Sequence, residues 1–320
     1  MSYDFDKIIN RTGTDCLKYD FAAERKKPVD ILPLWVADMD FSTAPAIRES
    51  LTDVISHGIF GYSDGKDDYD QALQYWFEKH FQWTIKKEWV IKTPGVVFAL
   101  AAAVRAYTKE GDGVLIQQPV YYPFTEVIRD NHRVPVDSPL QLHDGRYTMD
   151  FDDLEDKIVR HHIRLFLLCS PHNPVGRVWT TDELLKLGEI CKKHDVIIVS
   201  DEIHSDFVWE GHTHHILASL SEDLENRTIV CTAPTKTFNL AGLQISNIFI
   251  PNRKLRTAFR HAVEQAGYSQ PNLMGLAACK AAYTAGEDWY IELKKYLSDN
   301  IAFVRTYLEE KLPALHLIEP

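Results

Sequence analysis

Five short apolar-rich runs constrain this chain more than any other feature. They lie at 114–117, 163–169, 196–200, 228–231 and 244–250. Val114-Leu115-Ile116, Val196-Ile197-Ile198-Val199 and Ile229-Val230-Cys231 are continuous, the pattern of strands covered on both faces. Helical patterns fall between them. One follows Gly95 over about 96–108, and another follows Thr180-Thr181-Asp182-Glu183, which has the spacing of a capping box, and runs to about 194. Strands alternating with helices predict an α/β fold built on a mostly parallel sheet.

The flanks are different. Residues 1–45 hold Pro28, Pro33 and Pro45 and read as irregular. Pro45 suits the first turn of a helix. Residues 58–65 form a turn-rich loop holding Tyr62, 69–81 is an aromatic-rich helix, and helix resumes from about 272, with 287–311 as one long element. The expected organisation is an N-terminal segment over 1–45 that contributes to a small domain and the substrate pocket, a large domain over 46–285, and the start of a small C-terminal domain over 286–320.

Formal net charge is −11, which argues against a nucleic-acid partner. The five cysteines, Cys16, Cys169, Cys191, Cys231 and Cys279, are scattered and mostly sit in apolar runs, so they are expected to be reduced and buried. Residues 1–6 are acidic and lack an apolar core, so no signal peptide is expected. No run approaches the roughly 18 apolar residues that span a bilayer. A cytoplasmic location without a membrane partner is the expectation. His212-Thr213-His214-His215 reads as an exposed polar loop, and no metal site is expected there.

In an open α/β sheet, ligands bind beyond the carboxyl ends of the strands. Asn173 follows the second run in Ser170-Pro171-His172-Asn173-Pro174-Val175-Gly176. Asp201 closes the third in Ser200-Asp201-Glu202-Ile203-His204, and Lys236 follows the fourth in Ala233-Pro234-Thr235-Lys236-Thr237-Phe238-Asn239. Gly95 opens a helix whose free N–H groups can hold a phosphate. One sheet edge would therefore carry an anion cradle, an amide, a carboxylate and an amine suited to forming an imine with an aldehyde.

That set, in that order, resembles the pyridoxal-phosphate enzymes of the aspartate-aminotransferase fold type over nearly the whole chain. Leu34-Trp35-Val36-Ala37-Asp38-Met39-Asp40-Phe41, Ser200-Asp201-Glu202-Ile203-His204 and Thr235-Lys236-Thr237-Phe238-Asn239 are similar to the cystathionine β-lyase branch, the PatB/MalY type of C–S lyase. The resemblance implies pyridoxal 5'-phosphate as cofactor, held covalently by Lys236, which then serves as the proton-transfer base. It implies that Asp201 pairs with the pyridine nitrogen, that Asn173 donates to the ring phenolic oxygen, and that His204 faces that same oxygen where many relatives carry tyrosine. Tyr121 would stack on the ring, and Gly95, Val96 and Thr235 would contact the phosphate. Tyr62 would reach the phosphate of a neighbouring subunit, which implies a homodimer. The implied reaction is β-elimination from a thioether amino acid to thiol, pyruvate and ammonia. An aminotransferase, and a pyridoxal-phosphate-binding protein with impaired catalysis, are the alternative readings. Two departures accompany the resemblance. Gln244 stands where many relatives place a phosphate-clamping arginine, and the C-terminal domain that supplies their substrate-carboxylate arginine has no counterpart before Pro320.

Overall fold

A computed structural model describes residues 3–319. Nine strands form: β1 Val90–Thr93, β2 Gly113–Ile116, β3 Val134–Asp137, β4 Gln141–His143, β5 Arg146–Thr148, β6 Leu165–Cys169, β7 Ile197–Asp201, β8 Thr228–Thr232 and β9 Ser246–Phe249. The helices are α1 Pro45–His57, α2 Asp67–Phe81, α3 Val96–Tyr107, α4 Pro123–Asp130, α5 Phe151–Arg160, α6 Thr181–Lys193, α7 Glu222–Arg227, α8 Pro234–Thr237, α9 Arg253–Gln265, α10 Leu273–Ala285 and α11 Glu287–Lys311. Seven strands make one sheet in the order β1-β9-β8-β7-β6-β2-β3, while β4 and β5 pair as a separate hairpin.

The expected α/β architecture holds. Pairs β2–β3, β2–β6, β6–β7 and β7–β8 are parallel. Strand β9 runs against both neighbours, β1 and β8. Nothing in its residues announced that reversal, because strand direction depends on how the chain returns and not on local pattern. The β4–β5 hairpin and two strands of the main sheet were not foreseen. Strand β1 interleaves Lys92 with its apolar residues, and β3 is an edge strand carrying Pro135, which an edge tolerates.

Pleating sends successive residues of the central strands to opposite cores. Leu165, Leu167 and Cys169 of β6 pack in one cluster with Ala99, Phe124 and Phe259 of α3, α4 and α9. Phe166 and Leu168 pack on the other face with Leu154, Leu184 and Leu224 of α5, α6 and α7. A third, aromatic-rich core joins α1, α2, α10 and α11 around Trp76, Phe77, Tyr283 and Trp289. The capping box is present: the Thr180 hydroxyl accepts from Glu183 N at 3.2 Å, and the Glu183 carboxylate accepts from Thr180 N at 2.8 Å.

All five cysteines are buried and unbridged. No helix among the described residues is long and apolar enough to cross a membrane. The histidine-rich loop departs from expectation. His212 is exposed, but His214 is buried, with its Nε2 2.8 Å from Glu202 Oε2. A wholly buried carboxylate needs partners. Glu202 finds them in His214, in the Ser200 hydroxyl at 2.8 Å and in Leu217 N at 3.1 Å. No cluster of His, Cys, Asp or Glu suited to a metal occurs among the described residues.

Candidate active site

The carboxyl ends of β6, β7 and β8 open into a cavity of about 940 Å³. Gly95, Val96, Tyr121, Asn173, Asp201, His204, Thr235 and Lys236 all line it. Eight of the nine residues singled out from the sequence therefore share one space. Tyr62 is the exception. Its side chain is 94% exposed and borders a neighbouring groove with Gln244 and Tyr268. The two spaces share Pro94.

Asp201 is the last residue of β7, and its carboxyl is buried at the cavity floor. Ile203 N donates to it at 3.2 Å. Burial pushes this carboxyl up to about 7, the neighbouring Glu202 adds to the rise, and the Ile203 N–H and Lys236 oppose it. A carboxylate left so short of compensation gains most from a cation aimed at it. Burial, reinforced by Lys236, holds His204 down at about 4, so it faces the cavity as a neutral imidazole.

Lys236 sits on α8, a single turn directly after β8. Burial lowers its ammonium below the ordinary lysine value, against the pull of Asp201 and Asp38. Its Nζ donates to the carbonyl of Ala37 at 3.0 Å. That carbonyl is aimed by an unusual turn. Val36 adopts φ 58°, a left-handed conformation that a β-branched residue resists, and Asp38 N closes the turn onto Val36 O at 2.8 Å.

The turn is fastened on both sides. Asn239, three residues past the lysine, accepts from Met39 N at 2.9 Å and donates to the carbonyls of Met39 and Phe41, each at 2.9 Å. Arg11 and Lys18 bind Asp38 at 2.7 and 3.3 Å and Asp40 at 2.8 and 3.4 Å. Those salt bridges hold both carboxyls below their ordinary values against the desolvation that would raise them. Trp35 closes the cavity wall, its buried indole N–H unpartnered among the described residues.

Tyr121 is half-buried, and its backbone N–H bonds Asn173 O at 3.0 Å, tying the two residues together. Gly95 caps α3, leaving the N–H groups of the first turn free of helical partners. A side chain placed at Gly95 would meet nothing within 4 Å, so the space before this helix end is open. Partners for Asp38, Asp40 and Asn239 escaped the sequence reading because their contacts bridge distant segments.

The residues fit a flat, phosphorylated pyridine aldehyde: an amine of lowered basicity, a buried carboxylate lacking a cation, an aromatic wall and an open helix N-terminus. The sequence profile of the class I and II aminotransferases matches residues 29–320. Cystathionine β-lyase PatB of Bacillus subtilis strain 168 is 43% identical over 316 residues, covering 99% of this chain and 82% of that protein. A solved putative aminotransferase from Clostridium difficile 630, with pyridoxal phosphate bound, is 43% identical, with a TM-score of 0.95 over 98% of this chain and 80% of its own. A pyridoxal-phosphate-bound C–S lyase from Staphylococcus hominis is 34% identical, with a TM-score of 0.91 over 98% of this chain and 78% of its own. A match of this extent, on a fold that gathers these residues at its strand ends, makes the chain a member of the class I and II aminotransferase family.

Proposed function

We propose that this protein is a pyridoxal-phosphate-dependent C–S lyase of the cystathionine β-lyase type, working as a cytoplasmic homodimer. The observation that carries the reading is the hydrogen bond from Lys236 to Ala37. It joins the lysine common to the fold to the Trp35–Phe41 segment that resembles the lyase branch. The 43% identity to a cystathionine β-lyase supports the same conclusion.

Pyridoxal phosphate, when bound, supplies an aldehyde that captures the substrate amine and a ring that takes up the electron pair released at Cα. Asp201 would supply the anion that keeps the ring nitrogen protonated. Asn173 and His204 would bind the ring oxygen, Tyr121 would stack on the ring, and Gly95, Val96 and Thr235 would hold the phosphate. Lys236 would hold the aldehyde before substrate arrives. Its lowered basicity leaves more of the free amine near neutral pH, so that Nζ can take the proton from Cα. The pair left at Cα then forms a Cα–Cβ double bond as the Cβ–S bond breaks, sulfur leaves with its bonding pair and gains a proton, and the released enamine hydrolyses with water to pyruvate and ammonia. Tyr62, with the exposed Ile59 and Phe60 beside it, fits a role in the phosphate site of a second copy. Residues 34–37 fit the expected contribution of the N-terminal segment to the substrate pocket. The five buried, unbridged cysteines accord with a reducing compartment.

Purified protein supplied with pyridoxal phosphate and cystathionine is expected to release pyruvate and a new thiol in equal amounts. Absence of both overturns the reading. Conversion of intact cystathionine to its keto acid without thiol release identifies an aminotransferase instead.

A further inference from the structure

The segment after β7 divides its labour. Asp201 and His204 face the cavity, while Asp206 turns away and is buried at 5% exposure. One Asp206 carboxylate oxygen accepts from the Trp76 indole N–H of α2 at 3.1 Å. The other accepts the hydroxyl proton of Thr237. Its backbone carbonyl accepts from the Tyr290 hydroxyl of α11 at 2.6 Å. Asp206 is thus fixed from two helices and offers its remaining oxygen to the residue next to Lys236.

That matters because α8 is four residues long. A single turn has no stability of its own, since nucleation costs more than one hydrogen bond returns. Its orientation is set by what it is fastened to. Thr237 is fully buried, and its hydroxyl is the contact that reaches across to the Asp201–Asp206 segment. Successive helical residues point about 100° apart. Rotating Thr237 therefore swings Lys236 around the cavity. Satisfying the Trp76 indole requires one acceptor, and the second carboxylate oxygen is the one that takes the Thr237 hydroxyl.

We propose that Asp206 is a positioning residue for Lys236: through the Thr237 hydroxyl, its carboxylate sets the rotation of the one-turn helix that carries the reactive amine. The inference rests on the proposed capture of pyridoxal phosphate by Lys236.

Thr237→Val keeps the shape and removes the hydroxyl. Borohydride reduction after mixing with pyridoxal phosphate, followed by mass spectrometry of the Lys236 peptide, measures covalent capture directly. Capture by Thr237→Val is expected to be about tenfold slower or worse, with kcat on cystathionine down about 100-fold and KM little changed, as for a reactive group displaced by about 1 Å. Thr237→Ser, which restores the hydroxyl, is expected to recover most of the loss. Asp206→Asn, which keeps an acceptor for Trp76 but lacks the charge, is expected to fall between. Non-covalent affinity for pyridoxal phosphate in Lys236→Ala is expected not to change further when Thr237→Val is added. Wild-type capture rates in Thr237→Val and Asp206→Asn overturn the inference alone. Equal weakening by Thr237→Val with and without Lys236 also overturns it, by assigning a merely structural role. Failure of the wild-type chain to capture the cofactor overturns the parent reading and this one together.

Discussion

The amine of Lys236 is 3.0 Å from the carbonyl oxygen of Ala37, a residue 199 positions earlier. This contact brings the lysine turn after β8 against the irregular N-terminal segment, and the devices around it serve to hold it. Val36 stays in a left-handed conformation, Asn239 clamps residues 39–41, and two cations bind Asp38 and Asp40.

The strain at Val36 can be tested separately from folding. Val36→Gly relieves a left-handed β-branched residue, worth about 1–2 kcal/mol, but frees the unfolded chain by a comparable amount. Thermal unfolding is expected to move little, within about 1 kcal/mol. Turnover is expected to fall, because the Ala37 carbonyl is no longer pinned. Steady-state kinetics beside a melting curve separates the two effects.

Asn239→Ala removes three hydrogen bonds and leaves Met39 N and two backbone carbonyls without their partner. The expected cost is about 1–3 kcal/mol of stability, read by urea unfolding. Loss of kcat is expected to exceed any change in KM, since the amide acts by holding the turn that carries Ala37 and does not line the Asp201 cavity.

Asp201 predicts a pH dependence. Burial pushes its carboxyl up to about 7 in the folded chain. In the unfolded chain the same group titrates at about 3.9. Between those values the folded state retains a proton that the unfolded state has released. Stability of the cofactor-free protein is therefore fullest at the acid end of this window and is lost as pH rises through about 7. Each pH unit is worth about 1.4 kcal/mol. Asp201→Asn is expected to flatten this slope and to melt higher than the wild type at pH 8, roughly an order of magnitude more stable or better, while losing lyase activity. Unfolding of both proteins across pH 4 to 8, on the order of one measurement per unit, checks it.

The histidine loop gives a contrast between neighbours. His214→Ala breaks the buried contact with Glu202 and is expected to cost about 3–5 kcal/mol. His212→Ala, at an exposed position, is expected to stay within about 0.5 kcal/mol. Denaturant midpoints of the two variants measure the difference.

These cases mark what a sequence can carry. Strands β6, β7 and β8 were legible because both faces are buried, so their apolar runs are nearly unbroken. Strand β9 was legible as a strand, but its reversed direction was not, since direction is a property of the returning connection. That Lys236, Asp201 and Asn173 would share one cavity was legible because each follows or closes a parallel strand at its carboxyl end. Glu202 stood beside Asp201 with the same chemistry, and only the packing of the Leu217 turn and His214 shows that it belongs to the core. Asn239 gave no sign of gripping residues 39–41, because no local pattern records a partner about 200 positions away. The burial of His214 was hidden among polar neighbours for a related reason: its partner, Glu202, lies 12 residues upstream in a different segment.

The most direct test mixes the purified chain with pyridoxal phosphate and compares its near-visible absorbance with that of Lys236→Ala. A lysine-linked cofactor band in the wild type, missing from the variant, is the predicted result. The same spectrum from both proteins would contradict the account at its centre.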